Sequence, residues 1–254
     1  MRLKGKVAIV TGAGSGFGAG IAERFAREGA KVIVNDVDDV GGERVTSAIR
    51  RANGDENATY VHADVSQDDA MAGLVDRALA RFGRVDIMVN NAGITHDNAP
   101  MLDVDEATFD RVFAVNVKAI YLAARHVVPV MRRQGIGGSI LNVASTLGIR
   151  ARPGLVWYGG SKGAVITLSK GMAAELAPDR IRVNALCPVM GDTPLLPRFI
   201  GGSAPELRAK AISMIPLGRL ATPVDVANAA LYFASDEGAF ITGTAMEIDG
   251  GRCL

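Results

Sequence analysis

Short apolar, β-branched runs alternate with longer stretches of helical periodicity along almost the whole chain, and this alternation restricts the possible folds more than any other feature. The strand-like runs are residues 6–11, 31–35, 59–63, 85–90, 139–143, 181–186 and 245–248. The helical stretches are residues 16–28, 40–52, 67–82, 106–133, 158–177 and 223–234, with a kink or break expected at Pro129. Strands joined by right-handed helical crossovers form parallel sheets that are covered on both faces. The sequence therefore predicts an α/β fold: a doubly wound, seven-stranded parallel sheet with helices on both faces.

The 254 residues contain no sequence repeat and no change of composition that would mark a domain boundary. We therefore expect a single domain over residues 1–254. Residues 190–203 are irregular and rich in proline and glycine. A long irregular segment within a globular domain is typical of a functional loop. We expect a mobile loop or small lid here, extending to about residue 212.

Charge and cysteine content exclude several kinds of partner. The chain has 28 basic and 27 acidic residues without a cluster of either sign, which argues against nucleic acid or an anionic membrane as partner. Cys187 and Cys253 have no nearby cysteine or histidine at metal-binding spacing, so no metal site is expected. No signal-peptide pattern and no run of 18 apolar residues is present, which predicts a cytoplasmic protein without a membrane span.

The junction between the first strand and the first helix is rich in glycine. Glycine makes up 30 of 254 residues, about 12%, against an average of about 7%, and these glycines do not form low-complexity runs. A turn that brings backbone N–H groups close to a pyrophosphate needs glycine where side chains would collide. A tight turn without a ligand is the alternative, but the position at the start of a βαβ unit favours a dinucleotide. The expected contacts are Gly12, Gly14, Ser15, Gly16, Phe17 and Gly18.

An acidic residue at the end of the second strand indicates which dinucleotide binds. Asp36 lies 18 residues after Gly18, directly behind the second strand-like run. A carboxylate there accepts hydrogen bonds from the adenosine ribose hydroxyls and repels a 2′-phosphate. No arginine or lysine occurs in the glycine loop or at position 37 to bind that phosphate. The sequence therefore favours NAD over NADP, while a solvated turn residue is the plainer alternative for Asp36.

Tyr158 and Lys162 are four residues apart within a predicted helix, so their side chains share one face. A phenol titrates near pH 10, and lowering its pKa to about 7 requires about 4 kcal/mol of stabilisation of the anion. A neighbouring ammonium and the positive ring of an oxidised nicotinamide can supply much of that stabilisation. Such a pair taken alone is common by chance.

Several motifs in order resemble the short-chain dehydrogenase/reductase family over nearly the whole chain. The family's glycine motif matches Thr11, Gly12, Gly16 and Gly18, and its Asn-Asn-Ala-Gly motif matches residues 90–93. Its adenine-flanking pair matches Asp64 and Val65. Its active-site Asn and Ser match Asn116 and Ser145, and Tyr158 with Lys162 completes a tetrad. The resemblance implies a Rossmann fold and hydride transfer between a nicotinamide and a secondary alcohol or ketone.

The resemblance also implies a role for each matched residue. Tyr158 would exchange a proton with the substrate oxygen, and Ser145 would hydrogen-bond that same oxygen. Lys162 would hold the nicotinamide ribose and lower the Tyr158 pKa. Asn116 would position a water molecule in a proton relay. Further cofactor contacts are expected from Asn91, Ala92, Gly93, Pro188, Val189 and Thr193. Two departures from the family pattern are Val189, where glycine is usual, and the Gly159-Gly160 pair inside the catalytic helix, where alanines are usual.

The substrate is less well defined by the sequence. Substrate contacts are expected from Ser145, Leu147, Arg152 and Tyr158, and further candidates are Trp157, His96 and Arg150. Arg150 or Arg152 could bind an anionic group of the substrate; the alternative is that both are ordinary surface residues. A small alcohol or ketone is the leading interpretation. The main alternative is a 3-oxoacyl-[acyl-carrier-protein] reductase, against which Asp36 and Ala174 argue, because such enzymes use NADPH and an arginine just before Glu175. A non-catalytic nucleotide sensor is a remote alternative. The resemblance implies a homotetramer formed through the two long helices and the last strand.

Overall fold

The central sheet has seven strands in the order β3-β2-β1-β4-β5-β6-β7, and every neighbouring pair is parallel. This computed structural model describes all residues from Met1 to Leu254. The strands are β1 Val7–Thr11, β2 Lys31–Asp36, β3 Ala58–His62, β4 Ile87–Asn90, β5 Gly138–Val143, β6 Ile181–Pro188 and β7 Ala245–Ile248. The predicted doubly wound, seven-stranded parallel sheet is therefore confirmed, with strand ends within two residues of those expected.

Nine α-helices accompany the sheet. They are α1 Gly16–Arg27, α2 Asp39–Asn53, α3 Asp68–Phe82, α4 Glu106–Phe113, α5 Ala119–Gln134, α6 Val156–Leu176, α7 Leu196–Ile200, α8 Pro205–Ser213 and α9 Pro223–Ala234. None of the helices has the length and apolar character needed to cross a bilayer.

Both faces of the sheet are buried, as β1 illustrates. Ala8 and Val10 belong to an apolar cluster that also contains Phe25 of α1 and Leu231 of α9. Ile9, between them, points to the other face and joins a cluster with Leu74 of α3. Because successive residues of a strand point to opposite faces, a strand buried on both sides must be apolar throughout. This is why the first strand carries no polar alternation.

The predicted long helix over residues 106–133 is interrupted, but not at the expected place. The break is a π-helical turn, Ala114–Lys118, between α4 and α5. The expected break at Pro129 is wrong, since α5 continues through this residue, and a kink there stays a prediction. Pro129 stands on the exposed face, where water can hydrate the carbonyl that a proline leaves without a helical N–H donor. A π-helical turn holds one more residue than an α-helical turn, and the sequence carries no signal for this extra residue.

The expected irregular lid is partly helical. Helix α7 occupies residues 196–200 and α8 follows at residues 205–213. Leu196 and Ala211 are buried with Val189, Ile215 and Leu220 in a small apolar cluster of their own. The prediction of an irregular segment over 190–203 is therefore wrong at residues 196–200, which form α7. Proline and glycine do not prevent this short helix, because the apolar residues between them bury one of its sides.

The chain reverses its direction of winding between β1 and β4, which are neighbours at the centre of the sheet. In doubly wound sheets this point leaves a crevice at the carboxyl ends of the strands, where ligands bind. The loops after β1, β4, β5 and β6 meet there.

Candidate active site

A cavity of about 500 Å³ opens at the carboxyl ends of the central strands. The structure brings most of the predicted site residues into its wall: Gly12, Ser15, Gly16, Phe17, Asp36, Asp64, Val65, Asn91, Ala92, Gly93, Ser145, Leu147, Arg152, Tyr158, Lys162, Pro188, Val189 and Thr193. Five predicted residues do not line the cavity: Gly14, Gly18 and Asn116, and the further substrate candidates His96 and Trp157. Residues separated by more than 100 positions in the sequence therefore form one continuous site.

The glycine loop has a shape that side chains would not allow. Gly12 and Gly16 have φ angles of 61° and 55°, in the left-handed region that favours glycine. A Cβ at Gly12 would lie 2.8 Å from the Ala92 Cα, and a Cβ at Gly18 would lie 2.2 Å from the Gly12 carbonyl oxygen. Gly18 thus serves the close packing of α1 under the loop, while Gly12 and Gly16 line the cavity.

The ends of β1 and β4 are fastened together beneath the cavity. The Asn91 side-chain amide donates to the carbonyls of Thr11 and Gly12, at 2.8 and 3.0 Å. The Thr11 hydroxyl oxygen accepts from the backbone N–H groups of Asn91 and Ala92, both at 3.1 Å. These bonds set the position of the glycine loop relative to the segment after β4.

The Asp36 carboxylate is held at the end of β2 by backbone N–H groups. It accepts from Gly14 at 2.8 Å, from Val37 at 2.8 Å and from Asp38 at 3.0 Å. Gly14 therefore orients Asp36 rather than lining the cavity. Arg44 of α2 donates to the Gly14 carbonyl at 2.8 Å, so a cation does stand near this loop. The sequence argument, which considered only the loop and position 37, missed Arg44 because it lies within α2.

The predicted catalytic pair lies on α6, as its spacing indicates. Tyr158 and Lys162 are 6% and 4% exposed, and the Lys162 ammonium lies 5.8 Å from the centre of the Tyr158 ring. Lys162 Nζ donates to the Val143 carbonyl at 2.7 Å. Burial lowers the pKa of Lys162 from 10.5 to about 8. Burial raises the pKa of Tyr158 above its usual value of 10, against an opposing effect of the Ser145 side chain.

Ser145 ends the loop after β5, and its hydroxyl oxygen accepts from the Leu147 N–H at 3.1 Å. This bond starts the turn Thr146–Gly148, which packs against α6. The turn keeps Ser145 in the same cavity wall as Tyr158.

Asn116 lies in the π-turn and is 2% exposed. Its amide oxygen accepts from the Ile94 N–H at 2.9 Å, and its amide nitrogen donates to the Ile94 carbonyl and to the Ser161 hydroxyl, both at 3.0 Å. Asn116 thus joins the loop after β4 to helix α6 from behind the cavity wall. The interaction with a relay water stays a prediction.

Two further residues lie next to Tyr158: His96, a predicted substrate candidate that does not line the cavity, and Phe199, for which the sequence predicted no role. His96, 4% exposed, accepts the Tyr158 N–H at its Nε2 atom, at 3.4 Å, and so satisfies one of the free N–H groups at the start of α6. The Phe199 ring, from α7, packs edge-on against the Tyr158 ring with centroids 5.1 Å apart. Both come from loops distant in sequence, and neither carries a recognisable motif.

Trp157 is a predicted substrate candidate that the structure keeps out of the cavity. Its ring packs edge-on against Phe109, with centroids 5.5 Å apart, and its indole N–H donates to the Met101 carbonyl at 3.0 Å. It stabilises the contact between α4 and α6.

Cys253 and a turn after β7 form another part of the cavity wall. Asp249 accepts the N–H groups of Gly251 and Cys253, at 2.8 and 2.7 Å, which closes this turn. The ligand atoms of Glu247, Asp249 and Cys253 lie within 4.8 Å of one another, although both Asp249 oxygens already accept hydrogen bonds. Cys187 is fully buried, and burial raises the pKa of its thiol to about 12.

Comparisons with known proteins agree with this site. The family model described as "Enoyl-(Acyl carrier protein) reductase" matches residues 12–252. The chain is 46% identical to 4-formylbenzenesulfonate dehydrogenase of Comamonas testosteroni, over 99% of both chains. It is 40% identical to the 3-oxoacyl-[acyl-carrier-protein] reductase of Thermotoga maritima, over 100% of both chains.

A solved structure is similarly close. The crystal structure of a 3-ketoacyl-(acyl-carrier-protein) reductase from Brucella melitensis complexed with NADH superimposes with a TM-score of 0.93 at 47% identity, covering 99% of this chain and 100% of that one. Full-length matches at this identity, on a sheet that carries the family's motifs in one cavity, establish the relationship. The chain belongs to the short-chain dehydrogenase/reductase family of oxidoreductases.

Proposed function

We propose that this protein is an NAD-dependent oxidoreductase that transfers a hydride between the nicotinamide and a secondary alcohol or its ketone, with Tyr158 as general acid and base. The observation that carries the proposal is that Ser145, Tyr158 and Lys162 share one cavity with the glycine loop and Asp36. The first three residues can handle a proton on an oxygen atom, and the other two features can bind a dinucleotide.

The residues present fit a dinucleotide. The α1 N-terminus at Gly16 offers backbone N–H groups and a positive dipole end to phosphates. Asp36 stands at the end of β2, where a ribose with free hydroxyls would meet a fixed carboxylate. When bound, the nicotinamide supplies the carbon that accepts or donates the hydride.

The protein residues would control the substrate oxygen and its proton. Tyr158 donates the phenolic proton to the ketone oxygen in reduction and accepts the alcohol proton in oxidation. The Ser145 hydroxyl hydrogen-bonds the same oxygen and stabilises developing negative charge. The Lys162 ammonium favours the phenolate because an opposite charge lowers the pKa, while burial of Tyr158 acts against it. In this scheme Asn116 positions a water that connects Lys162 to solvent.

The preference for NAD over NADP rests on Asp36. Three backbone N–H groups fix its carboxylate, so it cannot swing away from a 2′-phosphate without losing them. A structural relative at 47% identity is reported with NADH bound. Arg44 lies beside this region, and it is engaged with the Gly14 carbonyl.

The substrate class draws on the relatives. The dehydrogenase from Comamonas testosteroni is named for a small aromatic aldehyde, which supports a small oxygenated ring compound as substrate here. The second candidate is 3-oxoacyl-[acyl-carrier-protein] reduction, which two relatives are named for. Ala174 stands where the family's acyl-carrier reductases are expected to have arginine, which favours the first candidate.

Replacement of Tyr158 by phenylalanine tests the mechanism. We expect NAD reduction with a panel of secondary and benzylic alcohols to fall by a factor of about 10² to 10⁴ in Y158F, because the proton-transferring hydroxyl is absent. NAD binding, measured by calorimetry, should stay within about twofold, since the ring still fills its place beside Phe199. Full activity in Y158F would contradict the mechanism, and equal kcat/KM with NAD and NADP would contradict the role of Asp36. Faster turnover of acetoacetyl-coenzyme A than of any small ketone would favour the second candidate.

A further inference from the structure

Arg152 and Arg252 both line the active-site cavity without a carboxylate partner. No carboxylate oxygen lies within 4.0 Å of either guanidinium. Of the other cavity arginines, Arg111 pairs with Asp64 at 3.0 Å, Arg198 pairs with Asp97 at 3.4 Å, and Arg150 donates to the carbonyl oxygens of Arg252 and Leu254 at 3.0 and 3.2 Å. Arg152 and Arg252 therefore keep guanidinium donors that no protein acceptor uses.

Arg152 lies at the Tyr158 end of the cavity. Its Nη2 atom donates to the Phe199 carbonyl at 2.6 Å, while the Phe199 ring packs against the Tyr158 ring. A single residue thus contacts both the guanidinium and the phenol. A guanidinium has five N–H groups, and the Phe199 carbonyl is the only protein acceptor for those of Arg152.

Arg252 reaches the same place from the other end of the chain. It follows the turn closed by Asp249, and Arg150 donates to its carbonyl at 3.0 Å, which joins this turn to the loop before α6. The Arg252 guanidinium makes no hydrogen bond to the protein. Its charge lies close enough to lower the pKa of Arg152, in addition to the larger effect of burial.

Two like charges that are partly removed from water and unpaired are unfavourable for the folded protein. Such an arrangement becomes favourable when an anion is placed between them, because each guanidinium can then donate a charge-assisted pair of hydrogen bonds. The same cavity wall also carries apolar side chains, among them Leu147, Leu195, Phe199 and Met214. A ligand with an apolar body and an anionic group matches both features.

We propose, on the basis of the function proposed above, that the substrate carries a carboxylate or sulfonate group which Arg152 and Arg252 bind at the Tyr158 end of the cavity. The reacting carbon lies at Tyr158 and Ser145, and the anionic group lies on the opposite side of the substrate body. The two arginines then determine which alcohols the enzyme accepts, while the tetrad determines the reaction.

Matched pairs of alcohols test this proposal. The anionic probes are the 3- and 4-carboxyl and the 4-sulfonate derivatives of 1-phenylethanol; the neutral probes are the corresponding carboxamides, the 4-sulfonamide and 1-phenylethanol itself. We expect kcat/KM for the best anionic probe to exceed that of its neutral partner by about tenfold to a hundredfold in the wild-type protein. R152M and R252M should each reduce this ratio, and R152K should retain part of it.

Two control variants separate charge recognition from a merely structural role. Asn98 also donates to the Phe199 carbonyl, at 3.0 Å, so N98A loosens the same contact without removing a charge. R198M removes a cavity arginine whose charge is already paired with Asp97. In both variants the ratio of anionic to neutral kcat/KM should equal the wild-type ratio, even where absolute rates fall.

The possible outcomes distinguish this proposal from the function on which it rests. Turnover of anionic and neutral probes at equal kcat/KM, or a wild-type ratio that persists in both R152M and R252M, overturns the anion site and leaves the oxidoreductase intact. If these variants lose acetoacetyl-coenzyme A reduction while the ratio of anionic to neutral kcat/KM stays unchanged, the anion site is also overturned. The arginines would then bind the phosphates of the coenzyme A part of that substrate. If no probe is turned over, the proposed function fails, but calorimetry with benzoate and benzenesulfonate still tests the anion site. Binding that R152M and R252M abolish supports the anion site. Absence of binding to the wild-type protein overturns it.

Discussion

Lys162 holds an ammonium where little water reaches it. The side chain is 4% exposed, and the Val143 carbonyl is its one hydrogen-bond acceptor in the protein. Burial disfavours the charged form, which is why the pKa of Lys162 falls to about 8. The lysine is thus easier to deprotonate than one on the surface, and its charge is retained at neutral pH.

The lowered pKa predicts how stability depends on pH. Between about pH 8 and 10.5 the unfolded chain binds a proton that the folded Lys162 has lost, so the contribution of this residue to stability rises with pH. The free energy of unfolding of the wild type minus that of K162M should therefore increase by up to about 3 kcal/mol between pH 7 and 11. Urea denaturation at several pH values measures this difference.

Two other buried groups also titrate at alkaline pH. Cys187 and Tyr158 have pKa values raised by burial, so they contribute stability that is lost at high pH, but both are present in the two proteins. A difference that stays flat or falls over this range would contradict the assignment of a lowered pKa to Lys162.

At the level of single residues, the sequence predicted which residues share the cavity better than it predicted what surrounds them. Tyr158 and Lys162 follow from a four-residue spacing on a helix, and Ser145 from its place in a motif. Arg252 and Phe199 could not be predicted in the same way, and His96 was expected to contact the substrate but binds the Tyr158 backbone instead. Phe199 reaches Tyr158 from α7 and His96 from the loop after β4, while Arg252 enters the cavity wall from the turn after β7. Their proximity is a result of tertiary packing between segments that no local pattern connects.

At the level of elements, the two glycines of α6 separate into different cases. A Cβ at Gly159 would lie 3.1 Å from the Leu147 carbonyl oxygen, whereas a Cβ at Gly160 would have nothing within 4 Å. The turn Thr146–Gly148 packs so closely on α6 that a Cβ at Gly148 would lie 2.6 Å from the Lys162 carbonyl carbon. Gly159 is therefore explained by this contact, and Gly160 has no explanation within one chain.

Alanine at each glycine tests this distinction. G160A should raise the free energy of unfolding by about 1 kcal/mol with turnover unchanged, because alanine is the better helix former and the position is open. G159A should lower kcat, because its methyl group presses on the turn that carries Ser145. Denaturation and steady-state kinetics at equal protein concentration give both results, and a loss of activity in G160A with none in G159A would contradict the explanation.

The elements themselves were predictable where a residue pattern persists over several turns or a whole strand. The apolar runs located every strand, because strands that are buried on both faces are apolar over most of their length. The π-turn Ala114–Lys118 and the helix α7 escaped prediction, since one is a local change of hydrogen-bond register and the other is only five residues long. The π-turn is also what places Asn116 against Ile94, so part of the site geometry was unpredictable for the same reason.

At the level of the whole molecule, apolar side chains remain exposed on the elements expected to form subunit contacts. Tyr121 of α5, Leu168 of α6 and Met246 of β7 are 58%, 39% and 41% exposed. The sequence alone did not identify these positions, because a helix that packs on a sheet is apolar on its inner face in any case. We propose that these surfaces join four copies of the chain.

A single charge on α6 tests the proposed assembly. Light scattering should give the mass of four chains for the wild type and a smaller assembly for L168E, because an interface buries the introduced carboxylate. V40E, at an 80% exposed position of α2, should keep the wild-type mass. A monomeric wild type, or L168E with an unchanged mass, would contradict the proposal.

The contact between β1 and β4 has a consequence for how the molecule becomes competent to bind its cofactor. Val10 pairs with Val89, and the Thr11–Asn91 bonds that fix the glycine loop form across this same contact. Pairings between residues so far apart in the chain close late and slowly during folding. The glycine motif alone is therefore not a binding unit: a nascent chain that ends before β4 has the loop but not the partner that shapes it. Nucleotide affinity should then arise together with closure of the sheet centre, so that a bound dinucleotide stabilises this long-range step of folding.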